Sequence, residues 1–280
     1  MKKVVVVTDS SANLPARLVE DLEIRVVPIV LAINGHTFYD GVDITPTEVY
    51  NLQRESRSLP KTSAPSIGDF LRTYAAASPG ASGIVSIHMS PKLSATRDAA
   101  LAAGELVEDV PVRVVDSHSA AMGQGFVVLE AARAAAAGAS LDEVVTRAEE
   151  MSSKVELLAM VGTLEYLRRG GRIGGAAALL GTVLQIKPVL YVDDGKVDVL
   201  TRPRTKSKAV QVMLKEVGHR VDSHVIHAAI LHAAVPEDAT ELRREIERQF
   251  DCSELYVTEL TPIMGAHTGP GVLGVAFYTE

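Results

Sequence analysis

The sequence predicts an α/β protein in two parts: an N-terminal, mostly parallel α/β (Rossmann-like) sandwich over residues 1–155 and a smaller α+β domain over residues 156–280. Three observations carry this. Through the first half, short Val/Ile-rich runs alternate with segments of helical period, the pattern of buried strands joined by crossover helices. A helical stretch over about 118–153 then breaks that alternation. Beyond it two strands are separated only by the turn "DDG", a hairpin signal that points to a mixed sheet.

Each element follows from its own pattern. "KVVVVT" is an apolar run bounded by Asp9, too short for a signal-peptide core and read as the first strand. "LPARLVEDL" has helical spacing, "RVVPIVLAI" reads as a second strand, and after a polar interval come helix "IGDFLRTYAAA", strand "GIVSIHMS", helix "LSATRDAALAAGELVED" and strand "VRVVDS". The helix "SAAMGQGFVVLEAARAAAAG" is closed by Gly138. The next begins at Ser140, an N-cap whose capping box Glu143 completes. The second domain then reads as strand "VELLAMV", a Gly/Arg segment, the hairpin "LQIKPVLYV" and "KVDVL", a helix near 206–218, strand "HVIHAAILHA", a helix near 237–249, and final strands "ELYVTEL" and "GVLGVAFYT".

Composition narrows the function. A hydrophobic content of 47% supports a sizeable core, and no stretch is long and apolar enough to span a bilayer. The net charge of -7, with few aromatic residues, argues against a nucleic-acid partner. Cys252 is the only cysteine, so no internal disulfide forms, a metal site would lack Cys ligands, and a reducing cytoplasm is the compartment that fits.

The chemistry-bearing motifs gather at the carboxyl ends of the predicted strands, where ligands of open α/β sheets bind. "VTDSSANLP" places Asp9, Ser10 and Ser11 at a strand-to-helix turn, where capping the next helix accounts for them. "KTSAPS" puts Thr62 and Ser63 before a helix start, and "IHMSPKLSATRDAA" does the same for Ser94; hydroxyls and free amides there can hold a carboxylate or phosphate, or simply cap. "VVDSHSAAMGQG" has Gly123 and Gly125 but Val128 where the third glycine of a dinucleotide fingerprint belongs, and neither "RRGGRIGG" nor "GAHTGPG" is a P-loop. Arg168, Arg169, Arg172, Lys187, Arg202, Arg204, Lys206 and Lys208 concentrate positive charge in an acidic chain, either as a solvated face or as a docking surface for an anionic partner. His267 lies in the glycine-rich "GAHTGPG".

Taken together, "VTDSSANLP", "GVDIT", "KTSAPS", "IVSIHMSPKLSAT", "VVDSHSAAMGQG", "LEYLRRGGRI", "LQIKPVL" and "AHTGPG" occur in the order that marks the DegV family, and the chain resembles that family over nearly its whole length. The resemblance implies a lipid-binding protein like the FakB subunits of bacterial fatty acid kinase, with a long-chain fatty acid in a tunnel between the two domains and no other cofactor or metal. It implies that Thr62, Ser63, Ser94 and His267 meet the fatty acid carboxylate, and that the partners are a kinase catalytic subunit and an acyl phosphate-using acyltransferase at the membrane surface. Arg169, Arg172 and Arg204 are then candidates for docking the kinase. Two departures stand out: Pro91 lies in a segment commonly richer in Ser and Gly, and Ala95 occupies the glycine position of the usual "LSGT", where a left-handed backbone would be strained. Hydroxyls and an imidazole would satisfy the carboxylate without a permanent countercharge. The competing chemistry is a hydrolase or acyltransferase with Ser94 as nucleophile, His267 as base and Asp9 or Asp116 as orienting acid, although the Gly-x-Ser-x-Gly elbow is absent. A lipid sensor without an acyl partner is the third reading.

Overall fold

The computed structural model describes residues 3–55, 60–179, 186–222 and 224–279. The chain starts with β1 (Lys3–Asp9), α1 (Ala16–Asp21) and β2 (Arg25–Val27). Pro28, which has no amide hydrogen to give to a ladder, ends β2 and redirects the chain, so the apolar run read as one strand is two. The second piece, β3 (Val30–Ile33), joins β4 (His36–Tyr39) and, after α2 (Pro46–Glu55), β5 (Lys61–Ser63) in a separate antiparallel sheet of order β4-β3-β5. The polar interval of the sequence is therefore structured, and Thr62 sits on one of its strands.

The parallel sheet resumes through α3 (Ile67–Ala77), β6 (Ala81–His88), α4 (Thr96–Gly104) and β7 (Val112–Asp116), with strand order β2-β1-β6-β7 and every pair parallel. Valines alternate across it as the two-residue period demands: Val7 and Ile84 pack with Phe70, Tyr74 and Ala100 of α3 and α4, while Val4, Val6 and Val85 join the helices on the other face. Those are α5 (Met122–Ala136) and α6 (Leu141–Lys154). Ser140 caps α6 and forms the reciprocal box with Glu143, and Gly138 after α5 adopts φ 89°, both as the sequence predicts.

The remaining chain runs through β8 (Glu156–Met160), α7 (Glu165–Arg169), β9 (Val189–Asp193), β10 (Lys196–Thr201), α8 (Lys206–Val221), β11 (Ile226–His232), α9 (Pro236–Gln249), β12 (Cys252–Glu259), α10 (Pro262–Thr268) and β13 (Leu273–Thr279). Of the motif "LQIKPVL", Leu184 and Gln185 lie outside the described residues. The strands form a six-stranded sheet of order β10-β9-β8-β13-β11-β12, mixed as expected: β11 and β12 are parallel and the other pairs antiparallel. One face, with Leu158, Met160, Ile230, Val275 and Phe277, packs on α8 and α9. The alternate residues face inward.

Helix α5 lies between the two large sheets, touching β1 and β6 on one side and β8 and β13 on the other. Almost all of it is buried: Met122, Phe126 and Leu129 are fully enclosed, and Ala131, Ala132 and Ala135 are buried with them. Gly125 is required there, since a Cβ would fall 2.7 Å from the carbonyl of Ala12.

Candidate functional site

Between the carboxyl edge of the parallel sheet and the inner face of the six-stranded sheet lies a cavity of about 330 Å³. Its size falls within the range of pockets that enclose small ligands. The strand period builds its far wall. Leu157, Ala159 and Val161 of β8 and its end point inward, Leu190 and Val192 do so from β9, and Leu231 from β11. Ile29, Met89, Ala120 and Ala121 close the near side from the strand ends of the parallel sheet. The lining is overwhelmingly aliphatic.

Its polar members form one group. Thr62, Ser63, Ser94, Arg172, His267 and Thr268 all line the cavity. Thr62 arrives on β5, held by the ladder to Leu31, and its Oγ1 is 2.8 Å from His267 Nε2. His267 is not in a glycine-rich turn. It occupies the last turn of α10, and the following Gly269, at φ 73°, ends that helix. Burial, and secondarily the Arg172 guanidinium, push the His267 pKa down to about 4, so the imidazole is neutral at physiological pH. Its Nδ1 is buried and has no hydrogen-bond partner among the described residues.

Ser94 lies in the turn before α4, with its Oγ 2.8 Å from Thr96 Oγ1 and accepting from the Thr96 amide at 3.3 Å. Ala95 adopts φ -78°, an ordinary right-handed value, so the alanine is accommodated without the strain a left-handed backbone would bring. Arg172 stands apart from the other two docking candidates. Its Nε donates to the Leu93 carbonyl at 3.0 Å and its Nη1 to the Gly170 carbonyl at 2.6 Å, which fixes the guanidinium at the cavity beside His267. A permanent positive charge therefore borders the polar group, where the sequence reading expected neutral donors alone. The paired glycines around Arg172 were the available signal. Gly170 packs so closely on His267 that a Cβ there would overlap Nδ1.

Arg169 and Arg204 are exposed, Arg169 lying 4.0 Å from Glu165 while Arg168 holds that carboxylate at 2.7 Å. Lys187 donates to the Gly162 carbonyl and Lys206 pairs with Asp238, so part of the basic segment has structural partners.

The residues of the Ser-His-Asp reading are not joined to one another. His267 is bonded to Thr62, Ser94 to Thr96, and the Asp116 carboxylate accepts the His118 amide. Asp9 belongs to a fully buried network: its Oδ2 is 2.8 Å from His88 Nδ1 and accepts from Gln124 at 3.1 Å, and Tyr74 continues the chain through Ser86 to His88. Among the described residues no His/Cys/Asp/Glu group is arranged to hold a metal, and no helix is long and apolar enough to cross a membrane.

The family model described as "uncharacterised protein, DegV family" matches residues 3–280. A DegV domain-containing protein of Streptomyces coelicolor is 40% identical over 276 residues, 98% of each chain. Among solved structures, a DegV family protein from Thermus thermophilus, described as binding fatty acid, shares 38% identity and a TM-score of 0.95 over 99% of this chain and 100% of its own. DegV from Bacillus subtilis, described as a fatty acid binding protein, shares 28% identity with a TM-score of 0.90 and full coverage of both chains.

Proposed function

The chain belongs to the DegV family, and we propose that it is a non-catalytic carrier holding a long-chain fatty acid in the cavity between its two large sheets. The observation that carries this is the pairing of an aliphatic cavity with a single polar group, Thr62, Ser63, Ser94 and His267, bordered by Arg172. The similar proteins described as binding fatty acid support it.

The division of labour is energetic. At about 0.8 kcal/mol per buried methylene, a tail of roughly 16 carbons offers on the order of 12 kcal/mol gross, before entropy losses. Headgroup hydrogen bonds contribute about 1 kcal/mol each. The cavity sets affinity, and the polar residues set orientation. Thr62 and Ser94 donate hydroxyl hydrogens to the carboxylate, neutral His267 orients Thr62, and the Arg172 charge favours an anion. We further propose that the carboxyl group is presented to a separate kinase, that the acyl phosphate formed there is used by an acyltransferase at the membrane surface for phospholipid synthesis, and that the protein works in the cytoplasm. In this reading the domain division falls at 155/156, between α6 and β8.

Lipid extraction of the purified protein followed by mass spectrometry tests the carrier directly. Near-stoichiometric long-chain fatty acid is expected, and a site that stays empty when the protein is offered fatty acid would sink the reading. Ser94→Ala and Thr62→Ala are each expected to weaken retention by about 1 kcal/mol, more where a charged carboxylate loses its partner. Retention equal to wild type in Ser94→Ala/His267→Ala would remove these residues from the site.

A further inference from the structure

The turn between β9 and β10 does more than reverse the chain. Asp194 and Gly195 have φ 45° and 72°, the pair of left-handed residues of a tight hairpin turn. The strands it joins supply part of the cavity wall through Leu190, Val192 and Val197. Its tip crosses to the parallel sheet and rests on the loop between β6 and α4, which carries Leu93 and Ser94 into the same cavity. Gly195 fits so tightly there that a Cβ would overlap the Ser90 side chain.

Four polar contacts complete this junction. Lys92 Nζ donates to the Asp194 carbonyl at 2.7 Å and lies 2.5 Å from its Oδ2. His118 Nδ1, from the loop after β7, is 3.1 Å from Asp194 Oδ1. The Ser90 amide donates to the Ser119 carbonyl at 3.1 Å, tying the two loops beneath the tip to each other. Arg172 grips the same segment from the other side, at the Leu93 carbonyl. The loop that positions Ser94 is thus clamped between Arg172 and the hairpin tip, and the hairpin is itself a wall of the cavity. A molecule leaving past this wall must separate the tip from the loop.

We propose that the β9–β10 turn is a latch: the Lys92–Asp194 pair and the Gly195–Ser90 fit hold the Ser94 loop in its binding position, and bound ligand leaves when the turn lifts. Lys92 and Asp194 are positioning residues that act on the ligand through this loop. The inference rests on the fatty acid carrier reading and adds to it the element that controls release.

The test is the release rate of an anthroyloxy-labelled long-chain fatty acid from the full chain, chased with excess unlabelled oleate in a stopped-flow fluorimeter. Asp194→Asn keeps a residue that tolerates the left-handed backbone and removes the charge. It and Lys92→Gln are each expected to speed release about two- to five-fold, the scale of one partly exposed ion pair. The double variant should release more slowly than the product of the two single effects, because both remove the same ion pair, and added salt should speed wild type more than either variant. Gly195→Ala, which forces the tip off Ser90, should release fastest. Rates within experimental error of wild type in all four, or additive effects of the two charge removals, would overturn the latch alone. A wild type that binds no labelled fatty acid would overturn the carrier reading, and the latch with it.

Discussion

Asp40 and His267 stand at opposite ends of α10 and titrate in opposite senses. Asp40 Oδ1 accepts the Ile263 amide at 2.8 Å, and burial at 2% exposure raises its pKa from 3.8 to about 6. The unfolded chain releases that proton first, so the stability Asp40 contributes is complete below about 3.8 and is lost as pH rises through about 6. His267 is depressed from 6.5 to about 4, so its contribution is complete above 6.5 and is lost as pH falls through about 4. In wild type the two slopes oppose each other across nearly the same window. Asp40→Asn keeps an acceptor for Ile263 and removes one slope. Its urea midpoint should therefore fall more steeply than wild type on acidification from pH 6.5 to 4, by an amount on the order of 2 kcal/mol; parallel profiles would refute this assignment. Gly170 makes a second residue-scale case. At φ -76° its backbone would accept alanine, but the added Cβ meets His267 Nδ1. Gly170→Ala should cost about 1–3 kcal/mol of stability through overpacking and loosen fatty acid retention by displacing the imidazole from Thr62, both readable by thermal melts with and without lipid.

At the scale of elements, what was legible in the sequence was what depends on local pattern. The capping box Ser140/Glu143, the hairpin turn at Asp194–Gly195 and the alternating valines of β1 all follow from residues a few positions apart, and all are present. The three-stranded sheet was not legible, because Pro28 splits one apolar run between two sheets and β4 is a mostly exposed strand with little alternation. Nor was the helical setting of His267: α10 is a seven-residue helix opened by Pro262, and the glycines that suggest a turn instead make room for Tyr50 at Gly265 and end the helix at Gly269. The place of Arg172 at the cavity was not legible either, because its two carbonyl partners come from chain reversal and from a loop 79 residues away. Local elements remote from the cavity should matter for stability only. Ser140→Ala is expected to cost about 1 kcal/mol by chemical denaturation, as the loss of one N-cap does, with fatty acid retention unchanged.

Over the whole molecule, the two large sheets share α5 as a common wall, and a charged cluster ties that helix to the second sheet. Arg133 reaches Glu254 of β12 through both terminal nitrogens at 3.1 and 2.6 Å and Glu130 at 2.8 Å, while Tyr278 of β13 donates to Glu130. The brace stands outside the cavity lining, which meets α5 only through Ala120 and Ala121 just before the helix, and the cavity's polar group lies among loops and short elements. On the carrier reading proposed above, the tail is enclosed and only the headgroup is offered to a partner, so residues for docking should be exposed charges outside the lining. Arg169 and Arg204 meet that description and Arg172 does not. Charges at the rim of an interface act mainly on association rate, and their reach is limited to a screening length of about 8 Å at physiological ionic strength. Arg169→Glu and Arg204→Glu should then slow acyl phosphate formation with a cognate kinase, most at low salt, while bound fatty acid measured on the same samples stays at the wild-type level. Arg172→Ala should behave differently, lowering turnover at every kinase concentration and every salt concentration, because its guanidinium borders the headgroup itself. Titrating kinase against each variant at low and high salt separates the cases. Loss of bound lipid in Arg169→Glu and Arg204→Glu would place these two arginines in the binding site or the fold, and the docking surface would have to be sought elsewhere on the molecule.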